Sequence, residues 1–479
     1  MLSALLRTCD AVAGGMVLAV LVLGPWALAT FVPWTVLMLQ GLVGVGLLAA
    51  AAGAAIRRWT GEDALPAPYR PGWVFLLAGA VALYVAISGI NARAVSRRAT
   101  YGMEFDFREV VGWLPHSFDR GRTLDALGQW LAAAALAWVF TAWVRPGLAA
   151  DRGATGWGRL PGRLRVLVWT LAISSSALAV AGLLQKLSRT QWIFLSLEWM
   201  LLGDRWRILD AGFATFPYRA TAAQYFNLVW PLMFGAWWVE WRGEWARRGV
   251  RPRIGTNPLE VLPVLTVPVL AAAFASGSRG GMLVATLQVA ALVAVLLRRG
   301  RVPAHLRLVV LLAMLLALGF AAWVGWSQGW DRFATVLTDQ GSGRLKTWEI
   351  VRRMLPDFDP WGSGLGTYTT VVQPYWPDPF ANWQAFVHND WLEFRLELGW
   401  AGSLLLGFLG VAWLVRWWRG PWLPVSRDFS AFVGTALLGV LLHAVVDYPL
   451  HIYSLVLLVV VLATWLAWLP PFWRNRRPG

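Results

Sequence analysis

The chain has 479 residues, of which 58% are hydrophobic, with 34 tryptophans, a single cysteine and a formal net charge of +16. With a mean hydropathy of +0.54, this composition excludes an ordinary soluble domain and fits a polytopic helical membrane protein, whose interfaces favour tryptophan. The apolar runs are long and continuous, unlike the alternating strands of an outer-membrane barrel. Cys9 alone rules out an internal disulfide or a cysteine-rich metal site.

Runs long enough to cross a bilayer predict twelve spans, at about 12–31, 35–56, 72–91, 126–144, 165–184, 221–240, 260–276, 281–297, 308–326, 397–415, 430–447 and 451–470. Ala27-Leu28-Ala29 resembles a signal-peptide cleavage site, but a second span follows at once, so the first run reads as a span. Basic pairs set the orientation. Arg57-Arg58, Arg247-Arg248, Arg298-Arg299 and Arg476-Arg477 all fall on the side that is cytoplasmic when both termini are inside. The net positive charge therefore reports topology and attraction to anionic lipid, and nucleic acid is not an expected partner.

The fold expected is all-α, with about twelve transmembrane helices and a partly helical periplasmic loop between spans nine and ten. Four regions follow: 1–220, N-terminal spans with two longer outer loops (about 92–125 and 185–220); 221–326, central spans; 327–396, the large outer loop; and 397–479, C-terminal spans and a cytoplasmic tail. Loops of this length usually carry function or structure of their own.

The tight turn Ser276-Gly277-Ser278-Arg279-Gly280-Gly281 joins two apolar runs at the outer lip. A cation there is costly and points to a bound anion, against the plainer roles of capping a helix C-terminus or pairing with an outer acid. In the large loop, Arg344 to Leu355 reads as a helix, with Ser342 near its start and Pro356 stopping it. Arg344, Trp348 and Arg352 share one face; Arg352 and Arg353 otherwise read as surface charges. In Pro360-Trp361-Gly362-Ser363-Gly364-Leu365-Gly366, alternate glycines leave the backbone free to approach a ligand or simply to turn.

A second outer helix is expected from near Ala381, merging into span ten and carrying His388, Trp391, Leu392 and Arg395 on one face. His388 is a proton carrier with an ordinary pKa near physiological pH, though a packed surface histidine is an equal reading. Asp390 reads as an N-terminal helix charge that, with Glu393, could orient His388. Asp447 and His451 flank a short outer turn and read as locally paired or capping groups. The five histidines lack metal-site spacing, and there is no Gly-x-Ser-x-Gly turn, so no metal or cofactor is expected.

Taken in order, Ser278-Arg279-Gly280, Ser342-Gly343-Arg344 with Trp348, Gly364-Leu365-Gly366, His388-Asn389-Asp390 leading to Glu397-Leu398-Gly399, and His443-Ala444-Val445-Val446-Asp447-Tyr448-Pro449-Leu450 resemble the O-antigen ligase and polymerase superfamily. The resemblance covers about 210–455. It implies a glycosyltransferase of the bacterial inner membrane that takes a glycan from undecaprenyl pyrophosphate at the periplasmic face. The acceptor it implies is a lipid A-core sugar, another lipid-linked repeat or a protein serine. By the same resemblance, Arg279, Arg344 and Arg219 are pyrophosphate ligands and His388 is the catalytic residue. Ala220-Thr221-Ala222 departs from the Asn or His that often follows the family arginine at Arg219.

Two other classes compete. Twelve spans also suit a transporter or flippase, but the ionisable residues gather at the outer lip rather than mid-span, and no repeat relates the halves. A peptidoglycan glycosyltransferase of the shape, elongation and division class would present an outer-loop aspartate in place of the His388 segment.

Overall fold

The computed structural model describes residues 2–61, 72–99, 102–150, 160–188, 212–248, 261–298, 315, 319, 343–377, 384–419 and 424–468. The expected span at 308–326, nearly all of the central part of the second outer loop, Ser342, the proposed helix start near Ala381 and the C-terminal tail lie outside the described residues.

Thirteen α-helices are described: α1 (Leu2–Trp26), α2 (Pro33–Thr60), α3 (Gly72–Ile90), α4 (Arg120–Ala150), α5 (Gly162–Leu187), α6 (Arg219–Arg248), α7 (Val261–Ala275), α8 (Arg279–Arg298), α9 (Arg344–Phe358), the short α10 (Tyr368–Val371), α11 (Asp390–Trp418), α12 (Pro424–His443) and α13 (Tyr453–Trp468). Among the described residues, six (α1 to α5 and α11) are long and apolar enough to cross a membrane, and α7, α8, α12 and α13 contain shorter apolar stretches. The all-α expectation needs one amendment. Strands β1 (Ala94–Ala99) and β2 (Gly102–Phe107) pair antiparallel, Ala94 opposite Phe107 and Ala99 opposite Gly102. Their signal is the period-two alternation Met103, Phe105, Phe107, which a search for apolar runs passes over.

Helix α6 is the centre of the bundle. Every residue from Thr221 to Trp241 is buried, and α7, α8 and α12 all pack on it. It faces protein on all sides, so it can carry polar groups that a lipid-facing helix would not tolerate. Asn227 Nδ2 donates to Gly281 O at 2.9 Å, Gln288 of α8 donates to Asn227 O at 3.0 Å, and Trp230 Nε1 donates to Gln288 Oε1 at 3.0 Å. Each buried donor thus finds an acceptor on a neighbouring helix.

The two ends of the bundle differ in character. At one, ion pairs tie helices together: Asp10 of α1 with Arg57 of α2 and Arg163 of α5, Glu240 of α6 with Arg165 of α5, and Arg242 of α6 with Asp428 of α12. At the other, the connections interlock. Ser454 bonds to Ala29 O and to Thr30 Oγ1, and Thr215 donates to Pro25 O. The Tyr84 hydroxyl contacts both Trp361 O and Leu398 O.

Helix α11 changes direction at Gly399, whose φ of +62° is in the region that favours glycine. A Cβ there would collide with Pro360 O. The glycine turn 360–366 packs on this bend, with Ser363 N donating to Leu396 O at 3.0 Å and Gly364 N to Glu397 O at 2.9 Å. Its open backbone therefore serves a close approach of two chain segments, in keeping with the reading of a plain glycine-rich turn.

Arg242 and Asp428 provide a test of the ion-paired end. Asp428 is fully buried and also accepts from Trp238 Nε1 at 3.1 Å, so Arg242→Ala leaves a buried carboxylate without its counter-charge and is expected to cost about 3 kcal/mol, read as a lower thermal midpoint in detergent. Adding Asp428→Leu is expected to recover most of that loss. A single variant as stable as wild type would contradict a charged pair.

Candidate functional site

The interlocked end holds a cluster centred on Asp447, in the turn between α12 and α13. Its carboxylate is 3% exposed and receives groups from two other segments and from its own turn. His388 Nδ1 lies 3.1 Å from Oδ1, and Tyr448 N donates to the same oxygen at 3.1 Å. Arg344 Nη2 stands 3.6 Å from Oδ2, while Nη1 donates to Val446 O at 2.7 Å and Nη2 also reaches the Tyr218 hydroxyl at 3.3 Å. Burial pushes the Asp447 carboxyl up, but the His388 hydrogen bond and then the proximity of His443 and the Arg344 charge more than reverse this, and it lies below the usual carboxylate range. An ionised Asp447 makes His388 Nδ1 the donor and leaves the lone pair on Nε2.

His388 is held by its neighbours. Val387 N donates to Glu393 Oε2 at 2.8 Å, and Trp348 of α9 donates to Val387 O at 3.0 Å. Asn389 caps α11 by accepting from Leu392 N at 3.0 Å. Between these anchors His388 has φ +57°, a conformation uncommon for a residue with a side chain. The expected helix from near Ala381 is corrected here: residues 384–389 are not helical and α11 begins at Asp390. His388 consequently shares no helix face with Trp391 and Arg395. Its ring meets Tyr448 edge-on at 4.9 Å, within a stack of Phe386, Tyr448 and Tyr218. Burial, then the Asp447 charge, push the Tyr218 phenol up to about 12.

The three sequence-predicted arginines share one feature: Arg219, Arg279 and Arg344 are each the first residue of a helix, α6, α8 and α9. None of these helices has an acidic residue in its first turn. A cation at a helix N-terminus opposes the helix dipole, so the arrangement concentrates positive potential. The three N-termini meet. Arg344 contacts Tyr218, next to Arg219. Gly281 N donates to Ser278 Oγ at the start of α8, Gly281 O accepts from Asn227 of α6, and Gly281 closes on Ala223. Arg279 therefore stands at a helix start. Pro356 does not stop α9; it lies in the last turn, where a proline removes one ladder bond. Of the α9 face, Arg344 and Trp348 reach the cluster while Arg352 is exposed.

A second buried cluster braces the same turn from behind. His451 Nδ1 is 2.5 Å from Asp390 Oδ1, and its Nε2 faces Glu393 at 3.6 Å and Glu397 at 3.9 Å. Asp390 also accepts from Leu450 N at 2.8 Å, and its own N–H donates to Ala444 O at 2.9 Å. Asp390 and Glu393 thus serve His451 and the chain, correcting the expectation that they orient His388. Asp447 does more than accept locally from Tyr448 N: its side-chain partners His388 and Arg344 come from distant segments, and this role was missed. Its sequence signal was proximity to two histidines, His443 and His451, which is weak without the fold.

Residues 264–407 match the family model for O-antigen ligase. Among curated proteins, none matches the chain. The matched segment runs from α7 into α11 and includes Arg279, Arg344 and His388; Arg219 and Asp447 come from outside it.

His451 gives a pH prediction. Burial disfavours its charged form, but Glu393 and Asp390 outweigh that and raise its pKa well above the ordinary value. Its stabilisation is complete below the unfolded value of about 6.5 and is lost as pH rises through the folded value. The deficit in thermal midpoint of His451→Phe is expected to be largest below about pH 6.5 and to narrow as pH rises through the raised folded value. A deficit constant across that window would mean a neutral imidazole. With its matched segment and its apolar helices, the chain is similar to O-antigen ligases over residues 264–407 and has the helices of a multi-pass membrane protein.

Proposed function

We propose that the protein is a membrane glycosyltransferase that moves a glycan from undecaprenyl pyrophosphate to an acceptor hydroxyl at the periplasmic face of the bacterial inner membrane, with both termini in the cytoplasm. The observation that carries this reading is the meeting of three arginine-headed helix N-termini beside a histidine held by a buried carboxylate. Such N-termini favour a multiply charged anion, and guanidinium groups grip phosphate oxygens in pairs.

In this reading Arg279, Arg344 and Arg219 bind the pyrophosphate and stabilise the charge that grows on it as it leaves. Preorganised charge of this kind is often the largest catalytic contribution. His388 Nε2 takes the proton of the acceptor hydroxyl as its oxygen bonds to the anomeric carbon. The bond from that carbon to the phosphate oxygen breaks, and undecaprenyl pyrophosphate departs with the electron pair. Attack opposite the leaving group inverts the anomeric centre. Asp447 fixes the His388 tautomer and balances the imidazolium as it forms. The arginines fill the part that a divalent metal plays in many nucleotide-sugar enzymes.

Acceptor choice divides ligase from repeat-unit polymerase and from protein O-oligosaccharyltransferase. Deletion of the gene followed by gel analysis of surface glycans separates them. Loss of capped lipid with polymerised lipid-linked glycan retained means ligase. Single-repeat products mean polymerase. A mass shift in a secreted protein means protein glycosylation. Loss of surface glycans, with lipid-linked glycan retained on the cytoplasmic leaflet, would favour a transporter.

Arg279→Ala is expected to lower turnover by roughly 10²-fold or more while the protein stays folded. His388→Ala is expected to be monodisperse in detergent and inactive. Near-wild-type transfer by either folded variant would contradict its assigned role. Transfer should also persist in excess chelator; its loss, reversed by magnesium or manganese, would replace the arginine account with a metal one.

A further inference from the structure

One residue of the cluster has no part in the chemistry above. His443 ends α12 and is 1% exposed, and among the described residues neither of its ring nitrogens has a hydrogen-bond partner. An imidazole buried in this state is unfavourable, since both polar atoms have lost water without replacement.

Its surroundings indicate what it awaits. Nε2 lies 4.0 Å from Asp447 Oδ2, too far for a hydrogen bond and near enough for a small rotation to make one. Oδ2 is the oxygen approached by Arg344, while His388 occupies Oδ1. On its other side the ring meets Gly280, where a Cβ would stand 2.8 Å from Nε2 and 3.1 Å from Cδ2. The absent side chain beside Arg279 is what gives the imidazole its room. The charged and titratable groups facing Asp447 are therefore His388 from the segment before α11, Arg344 from α9, His443 from α12, Tyr218 from ahead of α6, and Tyr448 and Asp390 next to the turn itself.

We propose that His443 is a positioning residue that donates Nε2–H to Asp447 Oδ2 when a pyrophosphate draws the Arg344 guanidinium away from that oxygen. The inference rests on the reading of Arg344 as a pyrophosphate ligand. Arg344 is partly exposed and contacts Asp447 at only 3.6 Å, so a pyrophosphate with its several anionic oxygens outcompetes the single carboxylate oxygen. Without a replacement, buried Asp447 would lose a stabilising partner at the moment His388 needs it ionised. A neutral His443 supplies a donor without adding charge, and no covalent bond forms or breaks in the exchange.

The test uses the full-length protein in nanodiscs, labelled with 15N at its five histidines, with undecaprenyl pyrophosphate as the probe. The imidazole signals absent from His443→Gln protein are expected to move from unbonded to hydrogen-bonded positions when the lipid saturates the protein. Signals that stay in place at saturation overturn the proposal. The kinetic arm uses lipid-linked glycan extracted from a strain lacking the gene, with that strain's membranes as acceptor. His443→Leu is expected to lose on the order of tenfold in kcat with donor KM changed by less than about threefold. Losing a donor to the carboxylate raises the Asp447 pKa, so the acidic limb of the kcat profile should move to higher pH. His443→Gln, whose amide nitrogen reaches the place of Nε2, is expected to restore both. If His443→Leu does not fold, Gly280→Ala, whose methyl pushes the ring aside, should give the same loss and the same shift. Wild-type kcat with an unmoved acidic limb overturns the proposal; if Asp447→Asn and Arg344→Ala are inactive in the same assay, the reading of the site survives that failure.

Discussion

The site depends on one buried carboxylate. Asp447 is placed where water cannot satisfy it, and the chain supplies partners in water's place: the His388 ring, the Tyr448 amide and the Arg344 guanidinium. Those partners come from the segment before α11, from the turn itself and from α9, so the pairing also fixes how the outer segments sit on the bundle. Removing one member of such a set exposes the cost of burying the others. The second cluster, His451 among Asp390, Glu393 and Glu397, applies the same principle to the back of the turn. Between them the 444–451 segment is held on both faces, which allows a residue in a strained backbone conformation, His388, to keep one orientation.

The second organising feature is electrostatic. Arg219, Arg279 and Arg344 each open a helix whose first turn has no acid. In contrast, α11 opens with Asp390 and Glu393 in its first turn, as the helix dipole favours. Acid-free first turns occur in other described helices, α4 with its leading Arg120 among them, so what sets these three apart is that their arginine-headed starts lie together. The central α6 makes the meeting of these N-termini workable, because it is surrounded by protein and can carry Asn227, which bonds to the start of α8 at Gly281.

Much of the scaffold was legible in the sequence because apolar runs report burial and lipid contact directly. Most of the expected spans that fall on described residues correspond to helices, with boundaries moved where a backbone feature intervenes, as at Gly399 in α11 and at His388 before it. The β1–β2 hairpin was not legible, since two six-residue strands carry little apolar signal. Arg279, Arg344 and His388 stood out because they interrupt apolar or motif-bearing segments. Asp447 and the His451 cluster did not, because their meaning lies in distance through space: a carboxylate near histidines in sequence looks like a local cap until α9 and the 384–389 segment are folded over it. The glycine turn 360–366 left two readings open for a related reason. An open backbone can face a ligand or another backbone, and here it faces the bend of α11.

The account stands or falls on Asp447 as the group that keeps His388 and Arg344 in register. The direct measurement is glycan transfer by Asp447→Asn protein, which retains the shape of the side chain and removes its charge, alongside a thermal midpoint in detergent. A folded variant whose transfer falls by about 10²-fold or more is the predicted result. A folded variant that transfers glycan at the wild-type rate would contradict it.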